Sequence, residues 1–437
     1  MSRSVSFATR RRRILFQAIP IGLFLALLSV GLPSGLFDLY RERYGFDTSV
    51  QTLLFALYAF TLVPSLLITP FILRYIRPVM LYAIGIVALI VADVVFLTSG
   101  NTALLFVGRG FQGVTVAFLN AAAPQLLLEL QRRGWGKFDS MLLSMMTSAG
   151  LGLGLFGAKL VSGRMESADR WLFAVHLAVT AVFIIAAALL KPRDTAGEGD
   201  NGDSETGSTK LKLRARPEDH DAWNSIAGVA AGTAWAMGGL YLGLGTMIGD
   251  ATAPRIGAFV PFIFFMAMLV GQAASRALHD VTAAIRAWLP INAAGAILTA
   301  LGVVLAGGAA GENASPLTAL VALTGSALGG VSLGLVFVVA TDVFPRTIDL
   351  NRAGTQTAFF FSKVFGGNSL PTLGVGILTP MLGLGGALGV LAAGVTAMTC
   401  YVLIRFSVLD RRARRAEADD APQGERANAA AHPAQQG

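Results

Sequence analysis

Residues 103–128 read ALLFVGRGFQGVTVAFLNAAAPQLLL, a run in which Arg109 is the single charged side chain. A helix of about 20 apolar residues crosses a bilayer. Lipid offers the backbone no hydrogen-bond partners, so such a run must satisfy its own peptide groups and reads as a helix. At helical spacing Arg109, Gln112, Gly113, Val116 and Asn120 share one face. A guanidinium near the bilayer centre costs about 2.5–3.5 kcal/mol on insertion scales, so this polar stripe is expected to face the inside of a bundle.

Outward from this run, the same reading finds spans at 14–40, 48–72 and 79–98 before it, and at 139–163 and 170–190 after it. A break follows, and then spans at 223–248, 255–276, 284–307, 316–341, 352–378 and 383–407. The expected protein is an all-α membrane protein with twelve transmembrane helices in two six-helix bundles. Its parts are a basic tail 1–13, a first bundle 14–191, a linker 192–222, a second bundle 223–407 and a disordered tail 408–437. The linker, with GEGDNGDSETGSTK at its centre, is polar and without apolar periodicity. Arg10-Arg11-Arg12-Arg13 also suits the start of a signal peptide, but the apolar run behind it is too long for one.

Composition agrees. Only 14% of the 437 residues are charged and 54% are apolar, against roughly 25% charged in soluble domains. That excludes a soluble enzyme and a disordered chain. Cys400 is the only cysteine, so no disulfide framework or cysteine metal site is expected. No phosphate-loop, H-E-x-x-H or G-x-S-x-G pattern occurs, and neither a cofactor nor an enzymatic activity is expected. With the N-terminus inside, 26 of the 34 Lys and Arg fall on the cytoplasmic side and five outside. By the positive-inside rule both termini are cytoplasmic. The basic excess is then a collar facing anionic lipid, with no nucleic-acid partner implied.

The two halves are of similar length. The loop after the second span, Thr69-Pro-Phe-Ile-Leu-Arg74-Tyr-Ile-Arg77, is matched after the eighth by Gly271-Gln-Ala-Ala-Ser-Arg276. This suggests a parallel repeat of the kind secondary transporters use. Here the chain resembles the major facilitator superfamily, particularly its twelve-helix drug-efflux branch, over residues 14–407. Arg109-Gly-Phe-Gln112-Gly113 matches that family's R-x-x-Q-G. In the family's G-x-L-A-D-R-x-G-R loop Arg74 and Arg77 fit, while Leu73 replaces Asp, and Thr69 and Ile76 replace glycines. In the efflux branch's fifth-span pattern Gly150 and Gly154 fit, with Leu155 in place of Pro and Ala158-Lys159 in place of Gly-Gly. The resemblance implies export of amphipathic small molecules in exchange for protons by a monomeric, multi-pass protein of the plasma membrane, the inner membrane of a bacterium. It also implies a gating role for Arg74, Arg77 and Arg276.

The intramembrane polar residues are few. Asp93 and Arg109 sit at similar depth on either side of the turn near residue 101, so an ion pair between them is expected, structural or functional. Asp38 closes the first span, and in the resembled family an acid there often pairs with the fourth-span Arg. Asp38, Asp93 and Arg109 are therefore the proton-coupling candidates. Lys363, about eleven residues into its span, shares a face with Gln356 and Gly367 and can anchor an anionic group. Gln51, Tyr58 and Ser65 recur at intervals of seven on the second span. The substrate-cavity candidates are Gln51, Tyr58, Gln112, Asn120, Trp235, Tyr241, Gln356 and Lys363. Lys159 is expected to snorkel and His176 to be packed rather than titrating. A proton-coupled importer of a nutrient or organic anion, with Lys363 and Arg109 as anchors, is the alternative to export.

Overall fold

In the computed structural model residues 2–136, 140–189, 213, 217–308, 311, 313–347 and 353–420 are described. The first half holds α1 (Ser2–Gly35), α2 (Phe37–Tyr44), α3 (Thr48–Ile72), α4 (Pro78–Leu97), α5 (Thr102–Arg132), α6 (Ser140–Ser162) and α7 (Ala168–Leu189). The second holds α8 (His220–Thr252), α9 (Phe259–Ala274), α10 (Val281–Leu305), α11 (Pro316–Thr347) and α12 (Ala353–Asp420).

The turns are written in the sequence. Asp47, Asn101 and Asp280 each accept the amide N–H of the residue three further on, at 2.8–3.0 Å, and so cap α3, α5 and α10. Pro78, which has no N–H to lose, opens α4. Among the described residues, eleven helices are long and apolar enough to cross a membrane, and the last covers two crossings. It breaks at Gly383, whose φ of 68° is a left-handed conformation that suits glycine. Twelve crossings result, with the last two separated where the sequence divides them.

The halves repeat each other in packing as well as length. In the first, α1 packs on α6, α4 on α5, α3 on α5 and α4 on α7. In the second, α8 packs on α12, α10 on α11, α9 on α11 and α10 on α12. The seam between the halves is made by α3 against α12 and by α6 against α9. An even number of crossings puts both termini at one end, here called the termini end, where Arg12 lies over Trp135 and Trp223 packs edge-on against Phe406. The lipid-facing stripe is clearest on α7, where Val175, Val179, Val182 and Ile185 are exposed. At the other extreme is α8, with 94% of its most apolar window buried and a mean hydropathy of 1.2, the lowest among the eleven apolar helices.

Two expected tails are helical where described. α1 starts at Ser2 and α12 runs on to Asp420. Asp410 explains the second extension: it pairs with Arg414 one turn on, at 3.1 Å, and with Arg286 of α10 at 3.5 Å, so the charged stretch gains helical and tertiary partners. Residues 421–437 of the expected tail lie outside the described residues, as does most of the linker. Its end, Pro217–Asp219, is a 3-10 turn leading directly into α8.

Candidate functional site

The first polar cluster follows from a proline. Pro33 lies inside α1 and has no N–H, so the carbonyl of Ser29, four residues earlier, lacks its helical donor. Gln112 of α5 supplies one, its Nε2 donating at 2.8 Å to that carbonyl and at 3.3 Å to the Ser29 hydroxyl. Gln112 Oε1 in turn accepts from Arg109 Nη1 at 3.1 Å. Arg109 also donates to the Val30 carbonyl at 3.0 Å and to Ser34 Oγ at 3.1 Å, and lies 5.2 Å over the Phe37 ring. The guanidinium is 1% exposed.

The expected Asp93–Arg109 pair is replaced by a longer connection. Asp93, fully buried on α4, accepts from Ser29 Oγ at 2.6 Å, and its other oxygen lies 2.7 Å from His176 Nδ1 on α7. His176 Nε2 lies 3.0 Å from the Leu25 carbonyl. Arg109 thus reaches Asp93 only through Gln112 and Ser29. His176, expected to be merely packed, is the partner that Asp93 uses. Its signal in the sequence is a histidine in an otherwise apolar span, which by itself says nothing about which acid it meets.

The second cluster lies at the far end, opposite the termini. Lys159 does not snorkel freely. Its Nζ bridges Asp38 of α2 and Asp250 of α8, at 2.6 Å to each. Asp38 therefore pairs with α6, and the Arg109 partnership expected for it is absent, because α1 ends at Gly35 and Asp38 sits on a separate short helix. The Asp250 contact crosses the seam between the halves. So do two neutral contacts, Gln51 Nε2 to the Gly243 carbonyl at 2.9 Å and Ser49 Oγ to the Gly376 carbonyl at 3.3 Å. Gln51 is a buried seam residue rather than a cavity wall. Nearby, Arg43 of α2 holds Asp169 at 2.5 Å, and the hydrogen bond to that carboxylate keeps its guanidinium above its ordinary pKa.

The cavity lies at the termini end. It measures about 550 Å³ and is lined by Asp221, Asn224, Ser225, Gln356, Phe359, Phe360 and Lys363. Gln356 Nε2 donates to Asp221 at 2.7 Å, and Lys363 Nζ donates to Ser225 Oγ at 2.8 Å. The Lys363 side chain thus points from its place on α12 toward the start of α8. Gly232 and Gly367 let α8 and α12 approach closely enough for this, since a Cβ on Gly367 would overlap the Gly232 carbonyl. Gly376, where α12 meets α3, lies thirteen residues beyond Lys363, about 20 Å along the helix. The seam is tied at the far end by these contacts and, toward the termini end, by Gln272 of α9, whose Nε2 donates to Ser144 and Ser148 of α6 at 2.8 and 2.9 Å, while the cavity lies between α8 and α12 at the termini end.

The other expected cavity residues are elsewhere. Tyr241 is fully buried, bonded to Thr299 at 2.8 Å and stacked on Phe264 inside the second bundle. Trp235 is buried edge-on against Phe337. Tyr58 is buried. Asn120 donates to the Val116 carbonyl of its own helix at 2.9 Å. Gln112 belongs to the Arg109 cluster. Of the loop arginines, Arg74 lies 5.5 Å from the Phe71 ring, Arg77 lies 3.6 Å from Glu129 of α5, and Arg276 occupies the 3-10 turn after α9.

Against this geometry the sequence profile of the Major Facilitator Superfamily matches residues 20–371. The chain belongs to the major facilitator superfamily. Among solved structures it is similar to the nucleoside transporter NupG, with a TM-score of 0.60, 15% identity, and coverage of 90% of this chain and 99% of that one. An aspartate-to-alanine mutant of NupG gives 0.63 and 11%, covering 91% and 99%. At these identities the likeness concerns the fold. No curated protein matches the chain in sequence. As a superfamily member with its helices in two repeated bundles, the chain is a multi-pass membrane transporter, and its substrate is a small molecule.

Proposed function

We propose that this protein is a proton-coupled secondary transporter that takes up a small polar solute through the Lys363 cavity. Alternating access would move the two halves about the seam. The observation that carries this reading is the chemistry of the cavity: one ammonium, one carboxylate held by an amide, Asn224, Ser225 and two phenyl rings. A volume of about 550 Å³ suits a small ligand. Lys363 repels hydrophobic cations and attracts solutes with anionic or strongly accepting groups, and the rings offer a face for a planar group. Nucleosides, which NupG is described as carrying, have this mix of ring and hydroxyls and are the first probes to use. With the termini cytoplasmic, as the basic residues indicate, the cavity opens to the cytoplasm.

Export of amphipathic molecules against protons is the second reading. It is favoured by the R-x-x-Q-G stripe and by Gly150 and Gly154, whose missing side chains let α6 lie directly on α1 carbonyls. Flux into proteoliposomes under an imposed pH gradient separates the two. Labelled uridine, adenosine, small organic anions and a cationic dye form the panel. The uptake reading expects pH-driven movement of a polar solute and at least a tenfold rise in KM for Lys363→Gln. Movement of the dye alone, unaffected by Lys363→Gln, refutes it in favour of export.

A further inference from the structure

The protons of the first cluster can be counted from heavy-atom geometry. His176 Nε2 lies 3.0 Å from the Leu25 carbonyl, which can only accept, so Nε2 carries a hydrogen. The other ring nitrogen, Nδ1, lies 2.7 Å from Asp93 Oδ2, and two bare lone pairs do not meet at that distance. One more proton therefore sits between them, on the ring or on the carboxyl. Asp93 Oδ1 is already used as the acceptor of the Ser29 hydroxyl. The His176–Asp93 pair thus holds one proton more than a neutral imidazole beside a free carboxylate, and it is neutral overall.

That count leaves Arg109 without a counter-charge among the described residues. Its contacts are a carbonyl, a hydroxyl, an amide oxygen and a phenyl ring, and its Nε has no partner there. A buried cation in wholly neutral company is unfavourable. If the pair gives up its proton, Asp93 becomes a net negative charge joined to Arg109 through Ser29 and Gln112. The same loss breaks a contact. A neutral His176 can donate to Asp93 or to Leu25, never to both. Proton release therefore changes how α7 and α4 grip α1, the helix that also supplies Ser29, Val30 and Ser34 to Arg109.

We propose that the His176–Asp93 pair is the proton-carrying site of the transporter, and that its proton decides whether Arg109 has a counter-charge. This rests on the reading of the protein as proton-coupled. The proton is taken from water on one side and returned to water on the other, with no other chemistry. The groups facing the pair are Ser29 and the Leu25 carbonyl from α1, and Gln112 with Arg109 behind it from α5. Around Arg109 stand the buried hydroxyls of Tyr40 and Tyr58. On the pair's own helices the nearest titratable groups are Tyr82, about three turns from Asp93 and bonded to the Ile19 carbonyl, and Asp169, about two turns from His176 and paired with Arg43.

Asp93→Asn separates the proton from the fold. Its amide can donate to Nδ1 and its oxygen can accept from Ser29, so every contact of the loaded pair is kept permanently. The full-length protein, labelled with nitrogen-15 at its four histidines, is titrated in detergent by NMR, and His176 is assigned by its absence in His176→Gln. The wild type is expected to show one step in the protonation or tautomer of the His176 ring. Asp93→Asn is expected to abolish that step. A ring that never changes, or a step that persists in Asp93→Asn, overturns the proposal. In proteoliposomes, pH-driven accumulation of labelled uridine is expected to fall more than tenfold in Asp93→Asn. Full accumulation in that variant refutes the pair as the coupling site and leaves the transport reading intact. If the wild type moves no member of the panel, the transport reading fails, while the NMR titration still decides whether the pair holds the proton.

Discussion

Asp250→Asn removes the ion pair that crosses the seam at the far end and leaves Lys159 its other partner, Asp38. Two unit charges about 4 Å apart interact by about 4 kcal/mol at an effective dielectric of 20. The Asp250 carboxylate is 44% exposed and Lys159 is 18% exposed, so solvent screens part of this. A loss of about 1–2 kcal/mol is reasonable, between fully exposed pairs and fully buried ones. Asp250 is on the second half and Lys159 on the first, so nearly all of that energy favours the far-end-closed state. The closed-to-open ratio should therefore drop by about 5–30-fold. Spin labels at Met165 and Ile256, both exposed at the far end, read this directly once Cys400 is changed to serine. The short-distance population should shrink in Asp250→Asn. In 1 M salt, where the screening length is about 3 Å, the wild type should move toward the variant. Identical distance distributions in wild type and Asp250→Asn would refute the latch, and the seam would then be held by its neutral contacts, those of Gln51, Ser49 and Gln272.

Gln112→Leu should lower thermal stability in detergent by about 1–3 kcal/mol, because Pro33 has already taken the helical donor from the Ser29 carbonyl and no other group replaces it. Gly367→Val should prevent a monodisperse peak in size-exclusion chromatography, since its side chain would overlap the Gly232 carbonyl. Gly366→Ala, whose Cβ meets only the tip of Leu370, should elute as wild type. Arg77→Ala should change stability by less than about 1 kcal/mol, because Arg77 is 72% exposed and 3.6 Å from Glu129. A loss of flux without loss of stability in that variant would support the gating role expected of its loop.

Crossings are legible in the sequence because hydrophobic length is a property of the chain alone, and the break at Gly383 even falls on the first residue of the last run. Depth is legible too: Asp93 and Arg109 do join one polar cluster, linked through Ser29 and Gln112. Lateral adjacency is not. α4 and α5 are consecutive, which favours a meeting of Asp93 with Arg109, yet Asp93 turns to His176, eighty-three residues away on α7. The place of Lys159 near the far end follows from its span, but nothing in its own helix shows that a carboxylate from the other half arrives there. Asn120 sits on the polar stripe and satisfies itself on its own helix, a choice that spacing cannot reveal. The tails differ from expectation for another reason. Charge and alanine read as disorder, although the same residues are good helix formers once Asp410 finds Arg286 and Arg414.

The burial of α8 bears on how the chain enters its membrane. Lipid sees almost none of this helix in the finished protein, so its surface can be built from glycine, alanine and threonine, and its mean hydropathy is only 1.2, against 2.5 for the lipid-facing α7. A segment of that kind partitions weakly into hydrocarbon as it leaves the ribosome. Its integration then depends on company: α12, its main packing partner, is made more than a hundred residues later. The packing that covers α8 is complete only once α12 is made, so assembly of the second half is expected to be a late, collective event.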